Sequence, residues 1–497
     1  MPRHPPSFLR HPASETPSRR EILARSALGI GGIAASLLAR SESRGREPLG
    51  DGVPPTIDPL RPLAPRPPHR SGTAKNLIVL YQYGGPSQVD LFDRKPLLET
   101  LAGQPVPDSI KGISDQVGGV INHCKDSLLC PPWSWRQYGE CGLWVSDRMP
   151  LTAEHADRLC VVRSMHGDSS NHAPATYQMN TGSILGGKPS LGSWLTYGLG
   201  SENANLPGYV MLFEVGGLGG SANWSNAFLP AAYQGTRFRH DGPALANLEP
   251  PPGFAPVQRS TLDLTQAFNR GHLAGRPGQP DLEGRIATYE LAYRMQSEAA
   301  NVGDLADESA ETLALYGVDD PHRPTASYGR MCLLARRLVE RGVRVVQLYN
   351  AVDKYGWDGH DNSHEFHERN ARQTDGPTAA LLADLSRRGL LDETLVVWGG
   401  EFGRTPMEQG DGGRNHNPYG FTIWLAGGGV NGGRSIGATD EIGLRAVEDR
   451  QHVRDLHATI LAAFGLDHER LVFPHDGRDE RLTGVLGAAR PIGGVLG

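Results

Sequence analysis

Residues 76–90 read NLIVLYQYGGPSQVD, and this stretch decides the fold class. Leu77, Ile78, Val79, Leu80 and Tyr81 follow one another without a polar break, the pattern of a strand buried on both faces. Gln82 and Tyr83 lead into Gly84-Gly85-Pro86, which stop the strand, and Ser87, Gln88, Asp90 and Asp93 come directly after. Glycines permit close backbone approach, and the two carboxylates could ligate a cation. The same residues also suit an ordinary turn and helix cap.

Working outward, short apolar segments recur at residues 159–162, 209–213, 343–348, 395–398 and 421–425. Helical patterns lie between them at residues 282–298, 328–340, 377–388 and 454–464. Strands alternating with helices predict an α/β fold with a central, mostly parallel sheet and helices on both faces. In such sheets ligands gather beyond the carboxyl ends of the strands. There is no internal repeat, and residues 216–256, rich in Gly, Pro and Asn, read as an irregular insertion rather than a separate domain. One domain over about residues 76–490 is expected.

Ahead of it, residues 18–25 read SRREILAR, a twin arginine, and residues 26–38 form an apolar stretch too short for the ~20 residues of a membrane span. Residues 1–50 therefore resemble a twin-arginine export signal, which implies the export machinery as partner and a periplasmic or extracellular destination. Residues 51–75 are Pro-rich and are expected as an extended, mobile tether. The whole chain of 497 residues has a net charge of -6, and residues 1–50 hold eight Arg against four Glu, so the chain from residue 51 onward is more acidic still. This offers no footprint for nucleic acid. Five cysteines are too few for a disulfide scaffold, although Cys124 and Cys130 are spaced to bridge. None forms a CxxC pair, and no haem attachment motif is present. Gly427 to Gly433 lacks the phosphate-loop pattern, and Ser193 and Ser221 lack a nucleophile-elbow context.

The strand ends carry the chemistry. After residue 162 come His166, Asp168, Ser170, Asn171 and His172, where a helix begins. A helix N-terminus with free N–H groups suits an oxyanion or an activated nucleophile, or else Ser170 or Asn171 merely caps it. After residue 348 come Asp358, His360, His364 and His367; imidazoles beside carboxylates form a metal-ligand set, with Asp358 and His360 weighted above two histidines spaced as a helix face. After residue 398 come Glu401 and Arg404, then His416. Glu401 and His416 could ligate metal or move protons, and Arg404 could grip an anion or brace the loop against Glu401.

Together, residues 76–96, 169–182, 356–362 (GWDGHDN), 396–406 (VVWGGEFGRTP), 413–429 and 455–471 resemble domain-of-unknown-function family 1501. That family is placed in the alkaline phosphatase-like superfamily of metal-dependent phosphatases, sulfatases and phosphomutases. The resemblance implies an alkaline phosphatase-like fold and a divalent metal ion, such as zinc, calcium or manganese. It implies a small-molecule or glycan ester of phosphate or sulfate as substrate. The superfamily's metal-binding Asp after its first strand falls on Tyr83-Gly84, so Asp90 would substitute. Its nucleophile falls on His172, and its late Asp-His pair on Glu401-Phe402. The expected centre therefore uses Asp90, Asp358, His360, Glu401 and His416 for metal, with His172 as nucleophile or base and Arg404 stabilising charge. The alternative is an exported binding protein that keeps the fold around a degenerate site.

Overall fold

In the computed structural model, residues 52–58, 61–108, 120–215, 218–245, 248–276, 280–350, 355–484 and 488–497 are described. The export-signal stretch at residues 18–38 lies outside them.

β1 (Asn76–Tyr81) lies at the centre of a nine-stranded sheet. Its alternate side chains face opposite cores: Ile78 and Leu80 join one apolar cluster, Leu77 and Tyr81 the other. A period of two with both faces buried explains why the stretch is apolar throughout. The remaining strands are β2 (Cys160–His166), β3 (Tyr209–Leu212), β4 (Thr236–Phe238), β5 (Val345–Tyr349) and β6 (Thr394–Gly399), each a segment that comes after the first in chain order. An antiparallel ribbon of β7 (Gly403–Gln409) and β8 (Gly413–Asn417) then leads to β9 (Phe421–Ala426), β10 (Arg434–Ile436) and β11 (Gln451–His452).

The order across the sheet is β10-β2-β9-β6-β1-β5-β3-β4, with β11 beside β2. Every pairing is parallel except those of β9, which runs against both β6 and β2. Between β6 and β9 there is only the ribbon and no crossover helix, so the chain can return only antiparallel. All six apolar segments become strands of this sheet, and the expected α/β architecture is observed.

Helices cover both faces. α1 (His172–Thr181) and α2 (Leu191–Leu199) precede β3, and α3 (Ala255–Ala274) and α4 (Pro280–Gly303) come after β4. α5 (Arg323–Glu340) and α6 (Ser363–Arg387) flank β5 in the chain, and α7 (Val453–Ala463) comes after β11. Leu334 and Leu338 of α5 pack with Leu381 and Leu385 of α6 in the core that holds Ile78. Leu195 of α2 and Ile460 of α7 share the core that holds Leu77. α6 starts fourteen residues earlier than the helical pattern from residue 377 suggests, and Pro377 lies inside it. Among the described residues no helix is long and apolar enough to cross a membrane.

Three expectations change. The Pro-rich stretch is not a free tether: Arg66 N–H donates to Leu199 O, and its guanidinium donates to Thr196 O and Tyr197 O at 2.7 Å each, capping the end of α2. Thr73 and Ala74 N–H both donate to Ala463 O at 3.0 Å, tying the same stretch to α7. The insertion at residues 216–256 is not wholly irregular, since it supplies the edge strand β4, parallel to β3. Cys124 and Cys130 do not bridge; the Cys124 thiol donates to Val120 O and the Cys130 thiol to Pro131 O, and all five cysteines are free.

Candidate metal centre

The carboxyl ends of β1, β2, β5 and β6 lie at one edge of the sheet, and the polar residues beyond them converge there. After β1, Gly84 adopts φ +102, and a Cβ at this position would stand 2.5 Å from Trp357 N and Tyr355 O. Only glycine lets the loop after β5 approach so closely. Trp357 N–H donates to Tyr83 O at 2.9 Å, and Trp357 Nε1–H to Gln82 Oε1 at 3.1 Å, which sets Asp358 beside Gly84.

His172 opens α1, which ends at Gly182 in the left-handed conformation. His416 comes from β8, whose Gly413 would place a Cβ 1.7 Å from His360 O, so the ribbon lies directly on the His360 loop. Four side chains meet here. Asp358 Oδ2 lies 3.2 Å from His172 Nε2, while Asp358 Oδ1 lies 3.0 Å from His360 Nε2 and 3.2 Å from His416 Nε2. His172, Asp358 and His416 each offer a ligand atom within 4.8 Å of the other two. His360 Nε2 is 2.9 Å from His416 Nε2.

The far side of each imidazole fixes its tautomer. His416 Nδ1 is 2.6 Å from Ser170 O, which can only accept, so the proton is on Nδ1. His172 Nδ1 is 2.6 Å from the Glu401 carboxylate, and His360 Nδ1 is 2.5 Å from Gln409 Oε1. With each Nδ1 donating outward, the Nε2 lone pairs of His360 and His416 face Asp358, while His172, its pKa raised, directs its Nε2–H at the same carboxylate. Two lone pairs 2.9 Å apart repel unless a proton or cation lies between them. Histidine ligands of metals are held in this way by an acceptor on the other nitrogen. Two of these imidazoles, His172 and His416, with the Asp358 carboxylate form a ligand set of the kind that binds a transition-metal ion, and His360 stands beside His416 as a further donor.

Electrostatics agree with this arrangement. Burial disfavours charge on His172, but Asp358 and Glu401 outweigh it and raise its pKa to about 8. Burial, opposed by Asp358 and assisted by Arg404 and His172, lowers His416 to about 3, so it is neutral and ligand-ready. Burial would raise Asp358, yet His172, His360, His416 and Arg404 together hold it far below the ordinary carboxylate range. The ring of Phe402 stacks on His416 at 4.6 Å and forms the floor.

The structure brings together Asp358, His360, His416 and His172, and puts Glu401 and Arg404 behind them. Glu401 does not pair with Arg404: its Oε1 receives His172 Nδ1–H and Gly84 N–H, the latter at 3.0 Å. It is thus placed as the acceptor behind a ligand rather than in the three-residue group. Arg404 is fully buried; it donates to Asp358 Oδ1 at 2.7 Å and to the carbonyls of Gly84, Gly85 and Arg414. Four of its five N–H groups are spent on clamping loops and Asp358, and the side chain is buried away from a substrate anion.

Asp90 is not in the group. It is buried in an ion pair with Arg414 Nε at 2.8 Å and accepts from Trp133 Nε1 at 3.1 Å. An arginine already occupies the position a cation would take. His364 lies 3.6 Å from Asp90, and His367 accepts Ser87 N–H, so neither faces Asp358. His166 meets His452 edge-to-face at 5.1 Å and is not among the residues that meet Asp358. Sequence reasoning missed Gln409 and Ser170, which hold His360 and His416. Their roles depend on the β7-β8 ribbon and on a backbone carbonyl, and neither leaves a motif.

Residues 74–496 match the family described as "Protein of unknown function (DUF1501)". No curated protein matches the sequence. Among solved structures, the chain is similar to the lipoteichoic acid synthase LtaP from Listeria monocytogenes, at 10% identity over 82% of this chain and 77% of that one, with a TM-score of 0.35. It is similar to the PsFucS1 sulfatase from Pseudoalteromonas sp., at 12% identity over 85% and 74%, with a TM-score of 0.35. It is also similar to a protein in the alkaline phosphatase superfamily from Vibrio parahaemolyticus, at 12% identity over 84% and 73%, with a TM-score of 0.32. Similarity at this level says nothing of chemistry.

Proposed function

This chain belongs to the DUF1501 family, and we propose that it is an exported, metal-assisted hydrolase of phosphate or sulfate esters. The observation that carries the metal centre is the convergence of three outward-tethered imidazoles on Asp358. The ester class rests on the alkaline phosphatase-like resemblance, and export on the twin arginine at Arg19 and Arg20. His172, His360, His416 and Asp358 would hold the ion. Three nitrogens and one oxygen suit zinc or manganese, whereas calcium takes six to eight oxygens.

A divalent ion there supplies Lewis acidity toward an ester oxygen and lowers the pKa of a bound water. The chain does the rest. Glu401 keeps the His172 proton on Nδ1, Ser170 and Gln409 do the same for His416 and His360, and Arg404 fixes Asp358. Because His172 Nε2 faces Asp358, His172 serves this centre as a ligand in place of the nucleophile or base expected from the sequence. His360, with its side chain 39% exposed, stands on the open side where substrate would enter.

The test is elemental analysis of natively exported protein and of a His360→Ala, His416→Ala double variant, then a panel of phosphate and sulfate esters. Stoichiometric metal and turnover in the wild type, both lost in the variant, support the proposal. Metal without turnover leaves the binding-protein alternative, and no metal in the wild type sinks the centre.

A further inference from the structure

Four buried polar atoms lack a hydrogen-bond partner, Glu401 Oε2, Tyr81 Oη, Thr176 Oγ1 and His457 Nδ1; Glu401 and Thr176 adjoin Tyr81, and Tyr81 and His457 line one cavity. Native interiors leave few such atoms, so a local group of them calls for a cause. Glu401 is 1% exposed, Tyr81 2%, and Thr176 and His457 0%. Tyr81 ends β1 in register with Gly399 on β6, two residues before Glu401. Thr176 sits one helical turn after His172 on α1, on the same side.

We infer that Tyr81 is a positioning residue for the metal centre: its hydroxyl donates to the free oxygen of Glu401, whose other oxygen holds His172 Nδ1–H. Burial, then the nearby Glu401 and Tyr349, push the phenol well above its ordinary range, so Tyr81 keeps the proton it donates. Thr176, also adjacent, donates to the Tyr81 oxygen. On the far side, Tyr81 lines a cavity of about 30 Å³ with Asn180, Gln347, Gly399 and His457. His457 Nε2 is 2.8 Å from Met179 O and so carries the proton, which leaves Nδ1 as an acceptor. That cavity has room for a single water, which would donate to His457 Nδ1 and to Tyr81 Oη. Each of the four atoms then has a partner, and Glu401 is held from both oxygens.

The experiment compares full-length Tyr81→Phe with Tyr197→Phe, a control that removes a buried hydroxyl donating to Val472 O far from Glu401. Two readouts are taken. In metal-free protein, the downfield proton resonance of His172 Nδ1–H should exchange faster with water in Tyr81→Phe and be unchanged in Tyr197→Phe. Zinc affinity, by chelator competition, should fall about tenfold in Tyr81→Phe alone, the low end of the loss when a ligand's supporting partner is removed. An unchanged Tyr81→Phe resonance overturns the inference, as does an equal change in both variants. The affinity arm rests on the metal-centre proposal. If the wild type binds no zinc that proposal fails, and the proton resonance still decides the role of Tyr81.

Discussion

Replacing Asp90 with Asn separates the role that its position after β1 suggests from the role the structure gives it. As a metal ligand, Asp90 would cost metal affinity and little stability. As the partner of Arg414, it should cost stability and no metal. Both side chains are 0% exposed and the Nε–Oδ2 distance is 2.8 Å. The other Arg414 nitrogens donate to Thr405 O and Leu129 O at 3.0 Å each, so the guanidinium is anchored and cannot swing out to water. Leaving such a charge buried without its counter-ion costs about 3–5 kcal/mol.

The pH dependence gives a second magnitude. Burial raises the Asp90 pKa, but Arg414, His367 and His364 outweigh it and bring it from 3.8 to about 2. A folded pKa below the unfolded one stabilises above the unfolded value and is lost as pH falls through the folded one. The contribution is therefore complete above about pH 4 and disappears towards pH 2, worth about 2 kcal/mol by linkage. Urea unfolding of wild type and Asp90→Asn at pH 7 should differ by several kcal/mol, with a gap that narrows below pH 4. Metal content, measured on the same samples, should match. An unchanged urea midpoint together with lost metal would refute the assignment and restore Asp90 to the centre.

Metal binding should release the proton that His172 holds because Asp358 and Glu401, against burial, raise its pKa to about 8. Zinc affinity should climb about tenfold per pH unit up to about pH 8 and then level off, and a flat profile between pH 6 and 8 would exclude His172 as a ligand. In metal-free protein, the raised His172 stabilises fully below its unfolded value of 6.5 and ceases to as pH rises through about 8. Burial lowers His367 and His457 to about 4, so they stabilise above 6.5 and lose that contribution, of order 3 kcal/mol each, as pH falls towards 4. Melting temperature against pH should therefore peak near 6.5 and fall on both sides. Arg66→Ala should destabilise by about 2–3 kcal/mol, because the charged donor capping α2 is lost. Limited proteolysis should then cut residues 61–75, and resistance equal to wild type would argue that the strap is held elsewhere.

The fold was legible because burial on both faces writes itself as consecutive apolar residues, as in Leu77 to Tyr81. The reversal of β9 was not, since nothing within residues 421–425 records the direction of a neighbour. Candidate residues were legible by position: Asp358 and His360 come after β5 and Glu401 after β6, parallel strands that end at one edge, and His416 lies on the ribbon that comes after β6. Roles were not. Asp90 and Asp358 both lie beyond such strands and each meets an arginine of the β7-β8 ribbon, yet only Asp358 also meets three imidazoles, a difference set by long-range packing.

That ribbon accounts for the altered site. It carries Arg404, Gln409, Arg414 and His416 on two paired strands. The His416↔Arg404 register puts one imidazole next to one guanidinium, and both reach Asp358. Arg414, two residues from His416, lies on the same strand and neutralises Asp90 instead. One short antiparallel element therefore gives each carboxylate an arginine partner, Arg404 to Asp358 and Arg414 to Asp90, and adds an imidazole, His416, to Asp358. With Asp90 held by Arg414, the three imidazoles of His172, His360 and His416 gather around Asp358 alone.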